Sequence, residues 1–79
     1  MYWMKADEFR RIRTKFEMNQ DDFSDLLGLS GKKVVSSIET GARNPSKLTA
    51  IILGVLDGLP KRKSEELVEL MLRQAKKIK

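Results

Sequence analysis

Apolar residues recur at helical spacing along almost the whole chain, and no stretch shows the strict alternation expected of a half-buried strand. In "ADEFRRIRTKF" the residues Phe9, Ile12 and Phe16 fall at i, i+3 and i+7, and Asp7 and Glu8 occupy the first turn, where the helix dipole favours acids. Asn19 is placed to cap a second helix, "QDDFSDLL", which carries Asp21 and Asp22 in its first turn and turns Phe23, Leu26 and Leu27 inward. Gly28 ends it, as a residue suited to the left-handed C′ position. A tight turn through Leu29 and Ser30 leads into a third helix, which ends near Thr40 with Gly41 as its stop. "ARNP" is expected to be extended, because the residue before a proline is pushed out of the helical region. Ser46 caps a fourth helix, in which Leu48, Ile51, Ile52, Val55, Leu56 and Leu59 make a stripe broad enough to floor the core. "DGLPKRK" breaks it. A fifth helix, roughly 64–78, opens with Ser64, Glu65 and Glu66 and closes in lysines, matching the dipole at both ends.

The pattern predicts an all-α protein, a small five-helix bundle with no internal repeat. A chain of 79 residues buries only about 60% of its unfolded surface, so one modest core must use every apolar stripe. Phe9, Ile12, Phe16, Phe23, Leu26, Leu27, Val35 and Ile38 are its expected members. Tyr2 and Trp3 are expected to lie on the first helix as an apolar lid. Residues 1–60 are read as the main domain, and 61–79 as a basic amphipathic helix packed on that same domain.

Composition removes several classes of function. With 41% apolar and 34% charged residues the chain is globular rather than disordered. No apolar run approaches the roughly 18 residues of a membrane span, so no membrane partner is expected. "MYW" is too short for the apolar region of a signal peptide, and the absence of cysteine removes disulfides and thiolate metal sites. A cytoplasmic protein is expected. With no His, no Cys, no glycine-rich phosphate loop and no carboxylate pair on a pocket-forming fold, the chain is read as a non-enzyme without cofactor or metal. Asp21, Asp22 and Asp25 are more simply dipole partners and solvated surface than metal ligands.

The net charge of +5 favours an anionic partner, but its distribution blunts the argument. Residues 1–45 hold eight Lys/Arg against seven Asp/Glu, whereas 46–79 hold eight against four. Most of the excess is C-terminal. More specific is the third helix, "KKVVSSIE", whose apolar Val34, Val35 and Ile38 alternate with Lys32, Lys33, Ser36 and Ser37. These polar residues do little to stabilise a helix and call for another purpose.

From Arg13 to Pro45 the chain resembles the phage repressor and Cro class, the Xre-like helix-turn-helix family, in the run "NQDDFSDLLGLS…VVSSIETGARNP". The matching positions are Gln20, Gly28, Ser30, Ile38, Glu39, Gly41, Arg43 and Pro45, about half of the chain in combination. The resemblance implies a phage-repressor-like bundle whose third helix enters the DNA major groove. It places Lys32, Lys33 and Ser37 toward base edges, and Gln20, Ser36, Arg43, Lys47 and Arg13 toward the phosphate backbone. It also implies a structural ion pair between Arg13 and Glu39, with the free edge of the arginine turned to a phosphate. The amide N–H groups opening the second helix would hold a phosphate oxygen. Ten residues separate Gly28 from Glu39, one more than the commonest spacing in the family. Counting back from Glu39 makes Gly31 the helix cap and Val35 and Ile38 the buried pair; counting forward from Gly28 makes Ser30 the cap and Val34 the buried residue. The connected Val35, Ile38, Glu39, Gly41 pattern favours the first.

The expected function is therefore sequence-specific binding of double-stranded DNA by a small transcriptional regulator, a repressor. A single reading helix contacts too few base pairs, so a homodimer is expected. Leu67, Leu70, Met71 and Ile78 form one apolar stripe on the fifth helix and Val68, Leu72 and Ala75 another; the first is the expected dimer surface. Two other readings share these residues. One is an antitoxin that holds a toxin protein through the fifth helix or the N-terminus; the other is a protein- or membrane-surface interaction module using the basic C-terminal helix.

Overall fold

The computed structural model describes residues 4–78. They form α1 (Ala6–Lys15), α2 (Gln20–Leu27), α3 (Lys32–Glu39), α4 (Lys47–Gly58) and α5 (Lys61–Lys77), with no strand among them. The expected packing of Tyr2 and Trp3 lies outside the described residues. The globule measures 29 × 29 × 21 Å, and α2 packs against both α3 and α5, while α1 packs on α3 and α4.

The first three helices end in the same hydrogen-bonded motif, in which the amides of a left-handed residue and of the residue after it reach back to the last carbonyls. After α2, Gly28 (φ 67°) and Leu29 donate to the carbonyls of Asp25 and Ser24. After α3, Gly41 (φ 84°) and Ala42 donate to those of Ile38 and Ser37. Both glycines were expected as stops. After α1 the same bonds run from Glu17 to Thr14 and from Met18 to Arg13, but the left-handed residue is Glu17, at φ 56°. A side chain in this region costs roughly 1–2 kcal/mol, part of which glycine would return to unfolded-chain entropy. Glu17→Gly is thus expected to raise the unfolding free energy by about 0.5–1 kcal/mol and the melting midpoint by a few degrees. Thermal denaturation checks it, and an unchanged or lower midpoint would show that Glu17 makes compensating contacts.

Phe9 of α1 and Phe23 of α2 meet edge to face at the centre, ring centroids 5.1 Å apart. Around them close Ile12, Leu26, Val35, Ile38, Leu53, Leu56 and Val68, sealed by Met4 and Met18 from the connecting segments. Phe16 and Leu27 are half-buried against this cluster rather than inside it. Asn19 accepts from the Asp22 amide at 2.8 Å and Ser46 from the Thr49 amide at 3.1 Å, so both expected caps form.

Two expectations fail in α4 and α5. Helix α4 turns Thr49, Leu53 and Leu56 into the core, while Leu48, Ile51 and Val55 of the expected floor are exposed. Ile52 is half-buried. Periodicity cannot orient a helix that is apolar on every side. Helix α5 begins at Lys61, three residues earlier than expected, so Ser64 does not open it. The serine lies fully buried inside the helix and donates to the carbonyl of Lys61. Pro60 is the N-cap residue instead, and its carbonyl accepts from the Ser64 amide at 3.0 Å to start the helix. Since Ser64 and Val68 are buried, α5 belongs to the one core.

Candidate nucleic-acid interface

Two eight-residue helices, α2 and α3, are joined by a four-residue turn and packed on each other. Gly31 stands at the N-cap of α3, and Val35 and Ile38 are its buried residues. Of the two registers open in the sequence, this is the one counted back from Glu39. Val34 is only half-buried and Ser30 is exposed.

An ion pair fixes α3 to α1. Arg13 donates through Nε to Glu39 Oε2 at 2.6 Å and through Nη2 to Oε1 at 3.1 Å. Its Nη1 donates to the carbonyl of Met18 at 2.9 Å, just before α2. The side-chain Nε2 of Gln20, the first residue of α2, donates to Glu39 Oε1 at 3.3 Å. One carboxylate therefore ties together the ends of three helices. The side chains are 17% and 7% exposed. The expected ion pair is present, but all three nitrogens of Arg13 are engaged within the protein, so the expected free edge is largely used up. Gln20 likewise spends its side-chain amide on Glu39.

The outer side of α3 is differently built. Lys33 and Ser37 stand one turn apart, and the Ser37 hydroxyl donates to the Lys33 carbonyl at 2.9 Å. Lys32 lines a shallow cleft with Arg13, Asn19, Gln20 and Asp21, at the mouth of α2. Ser36 shares the line of Lys32 and is half-buried, and Arg43 and Lys47 are exposed beyond the end of α3. Lys32, Lys33, Arg43 and Lys47 make no ion pair among the described residues. Asn19 already occupies the Asp22 amide, which leaves fewer of the α2 amides open to an anion than expected. Asp21, exposed beside Lys32, further restricts where a phosphate can sit.

The expected dimer residues on α5 divide. Leu67, Leu70 and Ile78 are exposed, whereas Met71 is half-buried against the protein's own core. With Met71 spent internally, the stripe is not one free surface.

A second charged cluster had no signature in the sequence. Asp57, in the last turn of α4, receives Arg11 Nη2 at 2.8 Å and Lys15 Nζ at 3.0 Å, both from α1. Lys15 also donates to the Asp57 carbonyl at 3.2 Å. An acid at a helix C-terminus opposes the dipole, and the two cations offset this from a neighbouring helix. Hydrogen bonds from Arg11 and then Lys15 lower the Asp57 pKa from 3.8 to about 2. Because the folded pKa lies below the unfolded one, the stabilisation is full above about pH 4 and is lost as pH falls toward 2. Arg11 and Lys15 are exposed, so screening reduces the contribution to about 1 kcal/mol. Asp57→Asn is expected to lower the melting midpoint at pH 6 but to converge with the unmodified protein near pH 2. Equal midpoints at pH 6 would count against the cluster.

No family model matches the chain, and neither a curated protein nor a solved structure matches it.

Proposed function

We propose that the protein is a sequence-specific regulator of transcription that binds double-stranded DNA, with α2–turn–α3 as a helix-turn-helix of the phage-repressor-like type. The observation that carries this reading is the first turn of α3. It holds Lys32 and Lys33, no acid and no side-chain cap. Helices α1 and α2, in contrast, place Asp7, Glu8, Asp21 and Asp22 in their first turns, as the dipole favours; α5 also opens on cations, but α3 alone follows the packed α2 and its four-residue turn. Two unpaired cations on open amides are unfavourable for the isolated protein and become favourable against a polyanion.

In this reading exposed Lys33, and half-buried Ser37 one turn after it, approach base edges, where a lysine donates to guanine O6 and N7. Lys32, at the cleft, lies between base and phosphate. Ser36, Arg43 and Lys47 meet the backbone, and Gln20 and Arg13 act mainly by fixing α3. A protomer 29 Å across, paired about a two-fold axis, suits successive major grooves about 34 Å apart. A bound homodimer covers promoter DNA and so acts as a repressor.

Selection of bound duplexes from a random pool tests the proposal. A two-fold symmetric sequence should be enriched, and its affinity should fall with salt with a log–log slope of about −5, for Lys32, Arg43 and Lys47 in each of two protomers. A pool that emerges without sequence preference would overturn it.

A further inference from the structure

The end of α1 and the first half of α5 stand apart, and the gap between them is a groove of about 690 Å³. That is the size of a small-molecule site, and the groove is more enclosed than the clefts beside Arg10 and Lys32. Its floor is apolar, made by half-buried Phe16 and Leu72 and by buried Val68. Its mouth is charged. Lys15 lines it but is committed elsewhere, its Nζ donating to the side chain and the carbonyl of Asp57 at 3.0 and 3.2 Å, and Glu69 is bridged to Arg73. Glu17, Glu65 and Lys61 line the same groove and make no ion pair among the described residues. Two open carboxylates against one open ammonium leave the groove net negative, on a chain whose formal charge is +5. Glu17 carries a further mark. It stands at φ 56°, where glycine would be the lower-energy residue, so a carboxylate is kept at this mouth against the preference of the backbone.

We infer that this groove binds a small organic cation, a primary ammonium on an aromatic or branched aliphatic body. The body lies on Phe16, Val68 and Leu72, where its apolar surface leaves water. The ammonium donates to Glu17 and Glu65 in charge-assisted hydrogen bonds. Phe16 adds to the attraction, because an aromatic face favours positive charge, and this ring already holds Lys15 Nζ at 5.8 Å from its centroid. Lys61, one turn before Glu65, bounds the site and leaves it balanced for one positive charge and no more. An anion meets two unpaired carboxylates there and is excluded. None of these residues belongs to the proposed DNA interface, and the site is tested without DNA, so the two readings fail separately.

Amide resonances of the isotope-labelled chain, followed during titration with phenethylamine at low ionic strength, are the measurement. Signals of Phe16, Glu17, Glu65 and Leu72 should shift together and saturate with an apparent dissociation constant of about 1–10 mM. Phenylacetate, with the same ring and the opposite charge, should leave them in place, and so should ethylammonium, with the charge and no ring. Glu65→Gln should weaken phenethylamine binding by roughly 2–5-fold. Glu17→Gly should weaken it as much while melting higher than the unmodified chain, a combination that a purely structural glutamate would not give. The inference is overturned if the groove signals do not saturate with phenethylamine, if phenylacetate or ethylammonium moves them equally, or if both variants bind as the unmodified chain does.

Discussion

Replacing Glu39 by alanine is expected to lower stability by about 2–3 kcal/mol, the largest effect of any single change outside the apolar core. The carboxylate accepts three hydrogen bonds, two from Arg13 and one from Gln20. Without it, a guanidinium only 17% exposed is left near the core with the Met18 carbonyl as its remaining partner. An exposed ion pair would be worth at most about 1 kcal/mol, and full burial of the stranded charge about 3–5; the partial exposure of Arg13 places the cost between them. In a domain of this size the midpoint should fall by roughly 10–20 °C. DNA affinity should fall with it, because α3 loses its tie to α1. The Arg13→Ala, Glu39→Ala double variant should be less impaired than the sum of the single ones, since it leaves no unpaired charge. Denaturation curves decide this, and a loss below about 1 kcal/mol for Glu39→Ala would mean that water replaces the carboxylate.

Lys33→Ala should move stability and binding in opposite directions. Removing a cation from the first turn of α3 relieves repulsion with the helix dipole, so the free protein should gain a few tenths of a kcal/mol. Affinity for the selected DNA should drop by roughly 1–3 kcal/mol, with selectivity relaxed at the base pair that the lysine reads. Arg43→Ala provides the contrast: it should weaken all sequences alike and reduce the salt slope by about two units, one for each protomer of the dimer. Quantitative binding to the selected site and to single-base variants separates the two. If Lys33→Ala binds with unchanged affinity and preference, α3 does not read bases through this residue.

Which parts of this were legible in the sequence depends on whether the physics is local. Asn19, Gly28, Gly41 and Ser46 mark helix ends by their own side chains or lack of one, and those ends stand where expected. Glu17 carries no such mark, although its backbone does what Gly28 and Gly41 do. The orientation of α4 was hidden because residues on both of its faces are apolar, and only the packed core separates Leu53 from Ile51. The start of α5 was hidden because Lys61, Arg62 and Lys63 oppose the dipole at a helix N-terminus. The pairing of Arg11 and Lys15 with Asp57 spans more than forty residues, and no spacing rule reaches so far. The tie between Arg13 and Glu39 was reached through the family resemblance, and geometry then added Gln20 and Met18 to it.

The placement of charge in this molecule has a practical corollary. The cations proposed to face DNA are exposed and unpaired, so concentrated salt screens them fully, whereas the Arg13–Glu39 pair that holds α3 in position is shielded from solvent. A high-salt wash should therefore strip nucleic acid from the purified protein while its circular dichroism stays that of the folded state. Desalting alone should then restore binding, with no refolding step between.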